Sequence, residues 1–394
     1  MAITSVERKV LNHIDRQRLT NLTLDLVKIP SPTGHEVPIA QFYADYLRRL
    51  GLDVSLNYEY PNGPTVIAWL RGEAGGPTFQ LNGHMDTIPL EDQPACFKEG
   101  RVYGRGACDQ KAGVAGMAEA VRAIIESGVK LKGNILLTAT GMHERPGANK
   151  ESIKFLAQHG PLGDTILITE GPDNGVCVVQ KGLVIFDITI SREGTTIHEA
   201  TIGPTTPNPL WAGWRMMELL KKRKEELAAR PSTNKYLPPD SVYVGLFQSG
   251  EFFNTLPTTC RIWGTRRWSP GITYEEVAGE FDHLAQQIER ETGATVRVDL
   301  DMVGDPSQID EGEPIVGLLR IAHKDLTGEE YPIIGMMALG DAWIFNNIGH
   351  VPTTYYAGDT QRAHATPEYV DMAKMLRAAK VYALVALRYV GHAG

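Results

Sequence analysis

From residue 53 to residue 170 the chain alternates short apolar runs with helical stretches, and this rhythm constrains the fold most. Val54–Tyr58, Thr65–Leu70, Thr78–Asn82, Ile135–Thr140 and Thr165–Thr169 read as strands between glycine and proline turns. Helices are expected over residues 36–51, 110–127 and 151–159, after a first helix over 5–28 that Pro30 and Pro32 stop. Strand and helix in alternation predict an α/β sheet with helices on both faces. His84, Glu144 and Glu170 fall just beyond three of these runs, and Asp109 precedes the helix at 110. Ligands bind such sheets at the carboxyl ends of the strands, so these four side chains are expected to converge.

The texture changes at Lys181-Gly182. Leu183–Ser191 alternates, with Val184, Phe186, Ile188 and Ile190 on one side, and Ser241–Gln248, Cys260–Arg266 and Thr295–Val303 read as further strands. With helices over 209–229 and 273–291, the segment predicts a compact antiparallel α+β unit inserted into the first domain. From residue 305 the α/β texture returns, with Ile333–Met337, Thr353–Tyr356, the His364 loop and a last helix over 367–390. The expected division is a catalytic domain from 1–182 and 303–394 around an inserted domain at 183–302, two domains in 394 residues.

A formal net charge of −8 and no basic stretch argue against a nucleic-acid partner; the run Lys221-Lys222-Arg223-Lys224 is followed by Glu225-Glu226 and reads as a solvated helix face. No run approaches 18 apolar residues, so no membrane span is expected, and the amino terminus has no apolar signal region. Cys96, Cys108, Cys177 and Cys260 lack paired spacing and suit free thiols in a reducing, cytoplasmic setting.

Residues 81–89 read Leu-Asn-Gly-His-Met-Asp-Thr-Ile-Pro. In an extended strand His84 and Asp86 point to one side, so a ring nitrogen of His84 reaches a metal while the Asp86 carboxylate fixes its tautomer. The candidate ligands are His84, Asp109, Glu144, Glu170 and His364. Imidazole mixed with carboxylate suits one or two divalent ions of zinc, manganese or cobalt. Two such ions balance the three carboxylates and one hydroxide, a neutral sum that a buried pocket tolerates.

These positions, taken in order, make the chain resemble the co-catalytic metallopeptidases and amidohydrolases: glutamate carboxypeptidase, acetylornithine deacetylase, succinyl-diaminopimelate desuccinylase, aminoacylase and peptidase T. The resemblance rests on His84-x-Asp86, Gly104-Arg105-Gly106 with Asp109, the acidic position at 144, Glu170-Gly-Pro, Gly194, His198 and Phe253-Asn254-Thr255-Leu256-Pro257. It closes with Gly340-Asp341-Ala342 and Ala363-His364-Ala365-Thr366-Pro367-Glu368-Tyr369. It implies a mixed-sheet α/β/α catalytic domain carrying an inserted α+β, ferredoxin-like lid that also serves dimerisation. The reaction it implies is hydrolysis of a C–N bond in a small-molecule amide or peptide by attack of metal-bound hydroxide. Asp109 would bridge two ions, His84 and Glu170 would complete one site, and Glu144 and His364 the other. Asp86 would orient His84, and His198 would reach a second subunit's site to stabilise the oxyanion in a homodimer. Asn254 and Arg266 or Arg267 would contact the substrate.

Two positions depart from the family pattern. The family carries Glu-Glu where this chain has His143-Glu144, so a histidine stands at the general-base position. A histidine that takes a proton beside two dications becomes a cation, and like charges about 4–5 Å apart cost several kcal/mol at an effective dielectric near 20. Three readings follow: His143 is the base; His143 is an added ligand or substrate contact with Glu144 as base at a single ion; or the site has decayed and only binds metal. The second departure is Trp343, where many relatives carry an arginine; it either gives the substrate an aromatic wall or packs inside the fold. Together they raise a further reading, an aminohydrolase of an aromatic amine of the aminobenzoate type.

Overall fold

The structure, a computed structural model, describes residues 3–73, 75–144 and 150–393. It divides into two compact units: Met1–Val178 with Ile309–Ile334 and Gly340–Gly394, and Val179–Gln308 with Gly335–Leu339. The first is built on a six-stranded mixed sheet, in the order Asp53–Asn57, Thr65–Leu70, Asn134–Thr140, Thr78–His84, Thr165–Ile168, Thr353–Tyr355. The four strands from Asn134–Thr140 to Thr353–Tyr355 run parallel, and the other two add antiparallel at one edge.

The central strands are buried along nearly their whole length, as strands covered on both faces must be. The crossover from Thr78–His84 to Asn134–Thr140 carries helix Ala112–Ser127, and the return to Thr165–Ile168 carries helix Glu151–His159. The two crossovers run in opposite directions across the sheet, so right-handed connection puts their helices on opposite faces. Helix Met372–Val390 packs on Ala112–Ser127 and on the strand Thr78–His84, closing one apolar layer.

The expected amino-terminal helix over 5–28 is two helices, Ser5–Leu11 and Arg16–Lys28. Thr4 and Glu7 form a capping box on the first, and the Asp15 carboxylate accepts from Arg18 N at 2.7 Å to start the second. Local capping thus overrides a periodicity that runs through the break. The last helix begins at Met372 rather than 367 because Tyr369–Asp371 first pairs with Arg101–Tyr103, after which Asp371 caps the helix.

The second unit has the order strand, helix, strand, strand, helix, strand, and its sheet runs Ser241–Ser249, Thr259–Trp268, Gly182–Ser191, Thr295–Gly304, all antiparallel. This is the ferredoxin-like βαββαβ arrangement. Val184, Phe186, Ile188 and Ile190 are all fully buried against helices Pro209–Ala229 and Tyr274–Thr292. The alternation along that strand assigns its core face directly. The lysine-rich run on helix Pro209–Ala229 makes i,i+4 ion pairs of Lys221 with Glu225 and of Lys222 with Glu226 on an exposed face.

One buried acid stands at a junction of the first unit. The Glu36 side chain is fully buried, and its Oε1 accepts from Met142 N at 2.8 Å while Oε2 has no hydrogen-bond partner among the described residues. Burial pushes its carboxyl up to about 7, the Met142 N–H pulls the other way, and the nearby Asp86 charge adds to the rise. A carboxyl whose folded pKa lies above its ordinary value of 4.5 costs nothing below that pH, and its burden grows as pH climbs towards about 7. Glu36→Gln keeps the acceptor for Met142, so denaturant unfolding should show a gain on the order of 2 kcal/mol at pH 8 and little at pH 5.

Candidate metal centre

Every candidate ligand of the first unit sits in a loop at one end of the parallel strands. His84 is the last residue of its strand, Glu144 follows Asn134–Thr140, Glu170 follows Thr165–Ile168, and His364 lies beyond Thr353–Tyr355. Asp109 stands in the tight turn Ala107–Lys111 that opens helix Ala112–Ser127. Gly113 lets that helix close on the strand end, since a Cβ there would meet Thr169 O at 2.6 Å.

The five side chains form two groups that share Asp109. Its Oδ1 is 3.2 Å from His84 Nε2, which is 3.5 Å from Glu170 Oε2. Its Oδ2 is 3.3 Å from His364 Nε2, which is 3.0 Å from Glu144 Oε1. Donor atoms bound about 2.0–2.2 Å from one ion lie roughly 2.9–3.6 Å from each other, so these separations fit two adjacent cation sites. The electrostatics agree. Burial alone would lower the His84 pKa, yet Asp109, Asp86 and Glu170 hold it well above the ordinary value. Asp109 and Glu144 similarly raise His364 to about 9. Carboxylates gathered around two imidazoles in this way concentrate negative charge where a cation would sit. His364 also adopts φ 58°, a left-handed backbone that non-glycine residues enter rarely.

Asp86 meets His84 more closely through its main chain than through its carboxylate. It is the Asp86 main-chain carbonyl that lies 3.0 Å from His84 Nδ1, while the nearest carboxylate oxygen is 3.5 Å away. This still fixes the tautomer and leaves the Nε2 lone pair facing Asp109. The Asp86 carboxylate instead holds the ligand turn opposite: Oδ2 accepts from His143 N at 2.9 Å, Glu144 N at 2.8 Å and Thr33 Oγ1 at 2.8 Å.

Glu368, quoted in the motif but given no role from sequence, proves central. Its buried carboxylate accepts from Arg105 at 2.7 Å, Gly106 N at 3.0 Å, Cys108 N at 3.0 Å and Asp109 N at 3.1 Å. One acid thus ties the Asp109 turn to the His364 loop. The glycine pair around Arg105 was the available signal, because a turn of exposed N–H groups calls for an anion.

His143 lies against this cluster. Its ring stacks on His84 at 4.0 Å between centroids and 14° between planes. Its Nδ1 is 2.8 Å from Asp341 Oδ2, off the line of an ideal N–H···O bond, and its Nε2 is 3.3 Å from Lys150 Nζ. Lys150 also pairs with the other Asp341 oxygen. His143 can group with His84 and Glu170, their ligand atoms lying within 4.8 Å of one another. Trp343 is 7% exposed, with Lys154 Nζ 5.8 Å above its ring, so of the two readings packing inside the unit is the one observed.

The remaining candidates belong to the inserted unit. Ala200 N donates to His198 Nδ1 at 3.1 Å, and Asn254 Nδ2 lies 3.0 Å from His198 Nε2. His198 is exposed and Asn254 is half-buried. The expectation for Arg266 is corrected: its guanidinium is buried and engaged by Glu280 at 2.9 Å and by Asp240 at 3.5 Å. Arg267 is half-buried and donates to Met337 O at 3.1 Å. Among the described residues no helix is long and apolar enough to cross a membrane.

A family model described as peptidase family M20/M25/M40 matches residues 80–388. N-formyl-4-amino-5-aminomethyl-2-methylpyrimidine deformylase of Halalkalibacterium halodurans is 24% identical, over 95% of this chain and 96% of its own. Succinyl-diaminopimelate desuccinylase of Gluconacetobacter diazotrophicus is 28% identical, over 82% of this chain and 94% of its own. The crystal structure of aminopeptidase PepT from Bacillus cereus matches with a TM-score of 0.80 at 18% identity, over 96% of this chain and 100% of that one, a likeness of fold.

The Glu368 cradle gives a test independent of any substrate. Glu368→Gln loses the charge that holds the Asp109 turn and should weaken metal binding about 10–100-fold. Titration against a metal buffer reads this directly, and an unchanged affinity would show that the turn holds itself.

Proposed function

This chain belongs to peptidase family M20/M25/M40, and from that premise we propose that it removes a small acyl group from the nitrogen of an amine. It is a metal-dependent hydrolase acting on C–N bonds. The acyl-amide reading draws on the two relatives matched over most of the chain, which are named for deformylation and desuccinylation. The aminohydrolase reading is not favoured, because those relatives are named for cleaving an amide rather than for releasing ammonia from an amine.

The observation that carries the reading is Asp109, whose two oxygens each lie beside a different histidine, at 3.2 and 3.3 Å. We assign His84 and Glu170 to one ion and Glu144 and His364 to the other, with Asp109 between them. Zinc, manganese and cobalt suit this oxygen and nitrogen set. When bound, the ions polarise the substrate carbonyl and make water acidic enough to attack near neutral pH.

The chain's own groups then move the protons. His143 Nε2 takes a proton from the attacking water and passes it to the leaving nitrogen as the C–N bond breaks, yielding a carboxylic acid and an amine, and the acid then gives its proton to the amine, leaving carboxylate and ammonium. A second reading keeps His143 as a metal ligand, favoured by its grouping with His84 and Glu170. Lys150 Nζ, 3.3 Å from Nε2, stands where that nitrogen would meet either an ion or the attacking water, so both readings require it to move aside.

Dimerisation through the inserted unit is part of the proposal. Strand Ser241–Ser249 is the outer strand of its sheet and leaves a free edge. Beside it Trp214, Met217, Leu220, Val242, Tyr243 and Val244 line a groove whose remaining lining residues, Glu218, Lys221 and Lys224, are charged. Two copies joined edge to edge would bury this self-complementary surface.

Metal analysis of the purified protein should give two ions per chain. A panel of N-formyl and N-succinyl amines beside dipeptides should show amide hydrolysis that a chelator abolishes and added metal restores. Two bound ions with no hydrolysis of any panel member would sink the enzymatic role. His143→Glu should retain both ions and keep amide hydrolysis within about 10-fold of wild type; loss of one ion would instead assign His143 as a ligand. Trp214→Glu and Tyr243→Glu should each shift sedimentation from dimer to monomer while the circular dichroism spectrum holds. A dimer that persists in both would place the interface elsewhere.

A further inference from the structure

We propose that Asp341 is the positioning residue that makes His143 a competent proton relay, an inference that rests on the relay role given above to His143. An imidazole, unlike a carboxylate, has two nitrogens that differ, and it relays a proton at Nε2 only if Nδ1 keeps its hydrogen and the ring is aimed. A carboxylate at Nδ1 meets both needs.

Asp341 is built for this. It is 1% exposed, and its Oδ2 lies 2.8 Å from His143 Nδ1. The segment that carries it is fixed from both sides: Ile344 N donates to Asp341 O at 2.9 Å, and Ala342 N donates to Tyr355 Oη at 2.7 Å. Its other oxygen is taken by Lys150, which leaves Oδ2 for the imidazole. The ring is restrained independently, by the His84 stack on its face and by Asp86, which accepts from His143 N at 2.9 Å. Plane and main chain are therefore each held by a different group, Asp341 Oδ2 stands 2.8 Å from Nδ1, and Nε2 has Lys150 Nζ at 3.3 Å, a donor that meets it as the ring's acceptor nitrogen. Alignment at Nδ1 is short of ideal, as catalytic hydrogen bonds often are before substrate arrives.

A different role for Asp341 is simple charge pairing with Lys150, and the two differ in what His143 contributes. If Asp341 acts through His143, removing it matters only while the imidazole is present.

The experiment is a double-mutant cycle on the N-acyl amide that the panel above shows to be hydrolysed. Asp341→Asn should lower kcat about 100-fold or more, keep KM within about 3-fold and leave the bound metal unchanged. In a His143→Gln background it should lower the residual kcat no further. Equal losses in both backgrounds overturn the proposal and make Asp341 structural. An inactive His143→Gln beside a fully active Asp341→Asn overturns the positioning role alone. A fully active His143→Gln overturns the relay role and this inference with it. A measurement on the unmutated side chains stands beside the cycle, for the case in which Asp341→Asn fails to fold. In zinc-loaded protein labelled with 15N-histidine, the His143 signals, assigned by their loss in His143→Gln, should report hydrogen on Nδ1. Hydrogen on Nε2 overturns the proposal.

Discussion

The centre depends on the Glu368 carboxylate buried under the Asp109 turn. Three main-chain N–H groups and the Arg105 guanidinium converge on it at 2.7 to 3.1 Å. Burial pushes the Glu368 pKa up while these donors pull it back, so its charge is held by its partners rather than by water. A buried anion with all its donors supplied is rigid, because any displacement strips hydrogen bonds that nothing nearby replaces. That rigidity is passed to Asp109 in the turn, the residue both groups share, and to His364 four residues before Glu368, a member of one of them.

Asp86 does the same work on the other side of the cluster. Its Oδ2 gathers the main-chain N–H groups of 143 and 144 and the Thr33 hydroxyl, while its carbonyl takes the Nδ1 proton of His84. Two acids that touch no proposed ion thus set the positions of those that do. The parallel strands bring the ligand loops to one end of the sheet, and the buried acids fix them there to within the few tenths of an ångström that coordination requires.

Much of this was legible in the sequence. The strands of the central sheet lie within a residue or two of where their apolar runs place them, because burial on both faces imposes a continuous hydrophobic code. The core face of Gly182–Ser191 follows from alternation alone. The five side chains proposed as ligands were placed near strand ends by the sequence, and the structure gathers them into contact. Illegible were the break at residues 12–15, where caps outweigh periodicity, and the burial of Arg266, which depends on Glu280 arriving from a helix. Glu368, Thr33 and Asp341 gave no local signal either. Their partners are 53 to 263 residues away in the first two cases, and 198 for Asp341 with His143, counted from 341 and 143.

The sequence by itself determined the chemistry available: which side chains have metal-binding atoms, which elements carry them, and that a histidine stands at 143. Only the tertiary structure decided how the acids divide between holding an ion and holding the chain. That division is set by what surrounds each carboxylate. Asp109, Glu144 and Glu170 face imidazole Nε2 atoms across a gap that a cation fits, whereas Glu368 and the Oδ2 of Asp86 are taken up by main-chain N–H groups. Such surroundings are assembled from segments far apart in the chain, so no window of sequence contains them.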